Sequence, residues 1–210
     1  MSKARRKSKF DKFSTEALRN GLRLHLDSIL LFNNKSYPSS YHLSVLALEE
    51  LAKSDWIDHY VHTSITNHGL PDPNGSEEQD WVKLLYIHTK KHFAFINQQY
   101  HSLDKSFYKF VESSLLEFKK QKAIYVGLER KGGKINTRSK ISSPFQITAR
   151  DAKQIISINN QVLINQCVRN ERWDHYYGPY EKYEILNLEL MNDLSTIWMF
   201  KTKMLKSEKR

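Results

Sequence analysis

Glycine and proline are scarce in this chain, seven and five among 210 residues. The segments between them run about 17–30 residues, which is helical spacing, and few alternating, strand-like stretches compete with it. Cysteine occurs once, at Cys167. That excludes an internal disulfide and fits a reducing compartment, so a cytoplasmic location is expected. No apolar run approaches the roughly 18–20 residues of a membrane helix. The basic start MSKARRKSKFDKF is not followed by the apolar region and small-residue cleavage site of a secretory signal.

Positive charge is what the chain has in excess, +10 overall, and it is unevenly placed. Residues 1–12 hold six Lys/Arg against one acid and residues 201–210 hold five against one, which leaves +1 for everything between. The body is therefore nearly neutral. Basic tails act as solvated, weakly attractive arms or help to hold RNA phosphates. Within the body, residues 119–140 stand out with eight Lys/Arg and a single Glu. The length suits one sizeable core, and no linker or repeat divides it. The expected layout is a basic tail over 1–13, one helical domain over 14–204 and a basic tail over 205–210.

Apolar periodicity and breakers predict helices over about 15–33, opening at Ser14 or Thr15, and over about 38–63, with Pro38 near the first position. Further helices are expected over about 78–99, 103–126, 148–170 and 181–204. The stretch 67–76 reads as a loop, and a long basic loop that can carry a short hairpin separates the fourth and fifth helices. The fold class is all-α, a bundle of about six helices.

Helical faces force some polar residues inward. His25 lies within the stripe Leu18, Leu22, Ile29, Phe32. Glu50 falls at the centre of Leu43, Leu46, Ala47, Ile57, Val61, with Glu49 and Lys53 paired on its flank. His88 and His92 share a face with Trp81, Leu84, Leu85 and Phe95. A short turn should bring His25 within a turn or two of Glu50. Buried polar groups of this kind need partners and often serve to fix helix register. Ligation of a metal by His88, His92 and Glu50 is the lesser reading, because HxxxH alone is a weak pattern; no metal or other cofactor is expected.

Arg-Asn, four residues, His occurs twice, as RNGLRLH (19–25) and RNERWDH (169–175). On an unbroken helix, positions six apart differ by about 600° and about 9 Å, so the two ends diverge. The first copy lies inside a helix and is a coincidence. The second lies where the apolar period fails after Val168 and Tyr-Tyr-Gly-Pro follows, so the chain can bend there and bring His175 toward Arg169. Arg169 offers a forked, permanent cation for a phosphodiester. His175 can move a proton at neutral pH, and Asn170 can orient either or bind a phosphate oxygen. The set suits attack of an RNA 2′-OH on its own phosphate without a metal. One Arg and one His are too few for acid, base and clamp, so two chains are expected to pool their motifs across a two-fold axis.

RNx4H near the end of a helix in a small all-α protein resembles the HEPN superfamily of ribonucleases and nucleotide-binding domains. The stretch ALRNGLRLHLDSILLFNNKSYPSSYHLSVLALEELAK looks like the AbiV abortive-infection branch, with Asp27, Tyr37 and the block Ala47, Glu49, Glu50, Lys53. His88 with Lys91 and KQKAIYV (120–126) add to a likeness that covers about residues 14–165. The resemblance implies a HEPN-like bundle in a bacterial phage-defence protein that arrests growth or translation by cutting RNA. It also makes Arg169 and His175 the catalytic pair at a dimer interface, with Asn170 the polar residue after the Arg.

Around that pair, Glu50 is expected to hold a His or Arg of the site, with Glu49, Lys53, His25, His88 and Lys91 in support. Lys131, Lys134, Arg138, Lys140 and Arg172 are candidate RNA contacts. Expected partners are RNA, a second copy, and a phage-encoded activator or an antitoxin, with no membrane. Two other readings stay open. One is a binder that blocks translation by occupying RNA, the ribosome or a phage protein. The other is a nucleotide-binding or nucleotidyl-accepting partner of an antitoxin, with Tyr176, Tyr177, Tyr180 and Tyr183 as acceptors. For these tyrosines and Trp173, packing is the simpler role.

Overall fold

A computed structural model describes residues 3–66, 82–98, 104–128, 130–131, 134–171 and 178–201. Trp81, Arg172, Trp173, His175, Tyr176, Tyr177 and the side chain of Lys131 lie outside the described residues. The helices are α1 (Lys3–Asn33), α2 (Tyr37–Thr66), α3 (His88–Gln98), α4 (Lys105–Glu112), α5 (Leu115–Lys122), α6 (Ala149–Glu171), α7 (Tyr180–Ile185) and α8 (Leu188–Ile197). The fold is all-α, as expected. The long basic loop does carry a hairpin, in which β1 (Arg130–Lys131) pairs antiparallel with β2 (Lys134–Ile135). An isolated bridge from Gly127 to Ser142 closes its base. Among the described residues no helix is long and apolar enough to cross a membrane.

α1 and α2 form an antiparallel hairpin through a tight turn, with Lys35 in the left-handed region at φ 61. α1 begins well before Ser14, for a local reason. Neither predicted cap residue caps. Thr15 Oγ1 donates to the carbonyl of Asp11 at 3.0 Å within the helix, and Ser14 Oγ donates across to Ser54 O at 3.1 Å. The basic start is therefore the first turns of a helix. Its Phe10 is buried, packed edge-on to Tyr60 with ring centroids 5.8 Å apart.

α2 is wrapped by α1, α3, α5 and α6. Its Tyr41, Val45, Leu48 and Ala52 join Phe95 of α3, Phe107 of α4, Leu116 of α5 and Ile155, Ile158 and Val162 of α6 in the main core. Leu18, Leu51, Leu163, Cys167, Leu186 and Leu194 form a second cluster that seats α7 and α8. Polar ties cross the same interfaces. Asn159 Nδ2 donates to Ser44 O at 2.7 Å, and Asn160 Nδ2 donates to Leu194 O at 3.1 Å.

Three predicted helices are interrupted. Residues 82–84 of the third are helical, but the amides of Leu85, Tyr86 and Ile87 turn back onto Val82, Lys83 and Leu84, and the helix resumes only at His88. The fourth divides at Ser113–Ser114, where Ser114 has φ 58. The last divides at Asn187, whose side chain accepts from Leu190 N at 2.8 Å and so opens α8.

Candidate functional site

Arg169 and Asn170 stand in the last turn of α6, with opposite environments. Arg169 is exposed, and among the described residues its Nε makes one long contact, 3.4 Å, to Asn165 O. Asn170 is buried and its Nδ2 donates to the carbonyls of Leu186 at 2.6 Å and Tyr183 at 3.2 Å. α7 is thereby tied back against the end of α6. Lys182 reinforces the tie from inside. Fully buried, it donates to Ser54 Oγ at 2.6 Å and to Ser14 Oγ at 3.2 Å and pairs with Asp58. Asp55 lies beside this cluster, accepting from Gln166 Nε2 at 2.8 Å. Burial pushes its carboxyl up to about 6, opposed first by the charge of Lys182 and then by that of Arg169. Both flanks of residues 172–177 are thus anchored, through Asn170 at the end of α6 and Lys182 in α7; His175 itself is outside the described residues.

A second polar assembly surrounds Glu49. Its carboxylate is buried, and three donors reach it within 3.0 Å: His88 Nδ1 at 2.6 Å, Lys120 Nζ at 2.8 Å and His92 Nε2 at 2.9 Å. Lys91 Nζ stands at 3.3 Å. Lys120 also pairs with Glu117 at 2.7 Å. Burial alone would raise the Glu49 carboxyl; the bonds from His92, Lys120 and His88 outweigh it and hold the group below the usual range. His88 is half-exposed, so its ring links the buried carboxylate to the surface. Glu49, His92 and Glu117 bring ligand atoms within 4.8 Å of one another. The Lys120 ammonium lies between the two carboxylates, where it supplies the cation that such a set calls for.

α2 is turned differently from expectation. Glu49, not Glu50, faces the interior; Glu50 is paired at the margin with Lys53 at 2.5 Å. The predicted Glu49–Lys53 pair does not form. His25 does not turn to Glu50 either. Its Nε2 meets Asn160 Oδ1 at 3.0 Å, and burial pushes its imidazole down to about 4, partly opposed by that bond. The first RN-His copy is spread over two environments, with Arg19 on the surface paired to Glu16 at 2.7 Å and His25 in the core. Lys134, Arg138 and Lys140 are exposed on the basic loop, Tyr180 is exposed and Tyr183 half-buried.

Sequence reasoning missed Lys120, Lys182, Asp55, Asp58 and Glu117 as members of these clusters. For Lys120 there is a signal. It sits four residues after Leu116 and three before Ala123, both buried, on the inward stripe of α5.

Glu49, Glu50, Lys53, His88 and Lys91 all fall within residues 9–164, the part of the chain matched by the sequence model of the AbiV family. The match stops short of Arg169. No curated protein and no solved structure matches the chain. With the match spanning well over half of the sequence, and with the helical fold agreeing, the chain belongs to the AbiV family of HEPN-type abortive-infection proteins.

Proposed function

We propose that this protein is a metal-independent endoribonuclease of phage defence that cuts cellular RNA and so arrests translation or growth. One observation carries the reading. Arg169 projects from the end of a rigid core helix with no ion pair among the described residues, while its neighbour Asn170 ties down the chain on the far side of the RNx4H segment. His175 accepts the proton of a ribose 2′-OH as O2′ bonds to the adjacent phosphorus. The P–O5′ bond breaks, and the leaving oxygen takes a proton from the imidazolium of a second subunit. Arg169 neutralises the phosphate oxygens. Products end in a 2′,3′-cyclic phosphate and a 5′-hydroxyl. Exposed Tyr180 and Leu188 beside this end of α6 supply apolar surface for a paired subunit.

The deciding experiment incubates wild type, Arg169→Ala and His175→Ala with total RNA, with and without EDTA, followed by end-group analysis. Cleavage by wild type in EDTA, cyclic ends, and a loss of about 10³-fold or more in both folded variants are expected. Intact RNA with wild type, or cleavage abolished by EDTA, rejects the assignment. A second reading, a non-catalytic binder that blocks translation, is favoured by the gathering of the family-matched residues around Glu49 rather than Arg169. It predicts that both alanine variants still arrest growth.

A further inference from the structure

The face of α5 turned away from Glu49 borders a groove of about 950 Å³, whose opposite wall is the hairpin residues Leu128, Ile135 and Asn136. Two aromatic rings on the helix side face solvent, Phe118 at 45% and Tyr125 at 61% exposure. Lys122 Nζ stands 5.9 Å from the centre of the Phe118 ring, a cation–π arrangement on the wall of the groove. This is also the basic part of the body. Of its cations, Lys119 is held by Asp151 and Lys120 by Glu49. Lys134, Arg138 and Lys140 are exposed and make no ion pair among the described residues.

We infer that this groove binds single-stranded RNA, with bases stacked on Phe118 and Tyr125 and phosphates along Lys122, Lys134 and Arg138. Solvent-facing rings set between cations match an unpaired strand, which offers base faces and backbone charge together. A duplex conceals its base faces, and an acidic peptide answers the charge without answering the paired rings. The inference rests on the nuclease reading only in naming RNA, because the groove is not the cutting site. The Lys119–Asp151 pair fixes α5 beside the start of α6, while Arg169 is 18 positions further along that helix. At about 1.5 Å per residue Asp151 and Arg169 are about 27 Å apart along the helix, on the order of eight stacked nucleotides at about 3.4 Å each. The groove therefore holds a strand at a distance from the cut.

Binding is read in full-length His175→Ala protein, so that it does not depend on cleavage, by anisotropy of a labelled 12-nucleotide single strand and of the matching duplex. Tighter binding of the single strand is expected. Tyr125→Ala and Phe118→Ala should each weaken it about fivefold or more, and Lys134→Ser with Arg138→Ser should flatten the salt dependence by about one phosphate contact each. Both rings are exposed, and unchanged melting temperatures verify that the variants fold. Single-strand affinity unchanged in both ring variants overturns the proposal, as does a duplex bound equally well. If RNA affinity is unmoved but the ring variants break up an oligomer in sedimentation, the occupant is a second copy and the RNA assignment falls. Wild type that binds through the groove yet leaves RNA uncut removes the nuclease reading alone.

Discussion

Glu49 draws donors from two helices besides its own, so the single carboxylate ties α2 to α3 and α5. Removing its charge leaves Lys120, 2% exposed, with Glu117 alone as counter-ion, and leaves the buried Lys91 with no ion pair among the described residues. Glu49→Gln should therefore cost about 3–5 kcal/mol, the range for breaking a buried ion pair. Glu50→Gln, which breaks only the marginal pair with Lys53, should cost about 1 kcal/mol or less. Urea denaturation of the two variants separates them, and equal losses would mean that Glu49 is not the hub. His25 makes a different prediction, through pH. Its folded value of about 4 lies below the ordinary 6.5 because burial disfavours the cation. As pH falls through 6.5 the unfolded chain takes up a proton that the folded chain refuses until about 4, so this stabilisation is lost across that window. His25→Gln keeps a polar partner for Asn160 but does not titrate. The stability advantage of wild type over the variant should shrink by roughly 3 kcal/mol between pH 7 and pH 4, taking about 1.4 kcal/mol per unit. Asp55 has the opposite sign, its raised carboxyl favouring the fold as pH drops, but it is common to both proteins.

The α1–α2 hairpin depends on close approach at Gly21, where a Cβ would lie 2.9 Å from Leu51 Cδ2 and 3.3 Å from Leu51 N. Alanine there gains about 1 kcal/mol in helix propensity, but overpacking a buried contact costs about 1–3 kcal/mol. Gly21→Ala should lower the melting temperature by about 2–4 °C, whereas Gly127→Ala, with open space around it, should leave it unchanged. A rise in melting temperature for Gly21→Ala would show that the helices separate freely. The same packing explains what could be read from the sequence at this scale. α1 and α6 each carry a polar face, and the predicted end of α6 near Asn170 agrees with Glu171. α2 has none. Leu43, Val45, Leu46, Ala47 and Leu48 surround its axis, so apolar periodicity cannot choose between Glu49 and Glu50; only the neighbours that wrap it can. The breaks at Ser114 and Asn187 were hidden for another reason. Each depends on a local turn or cap, and a single Ser or Asn within an apolar period does not announce one. The donors around Glu49 lie 39 to 71 residues away along the chain, a separation that periodicity does not see.

At the scale of the whole molecule, the basic residues near the start, six Lys/Arg against one acid over 1–12, belong to α1 from Lys3 onward, and the buried Phe10 anchors that end of the helix. The proposed chemistry needs more than one chain. A single RNx4H copy offers one imidazole, and attack and departure each require a proton transfer in one event. If two subunits share the task, a chain lacking Arg169 must damage its partner's activity as well as its own. With subunit exchange complete and a ninefold excess of Arg169→Ala, about one wild-type chain in ten meets another in a two-fold pair. Cleavage per wild-type chain should then fall to about a tenth of the unmixed rate, and wild type alone should lose specific activity on dilution below its dimer dissociation constant. Cleavage per wild-type chain that stays constant through the mixing series means that each subunit cuts by itself. A proton donor would then have to come from the same chain.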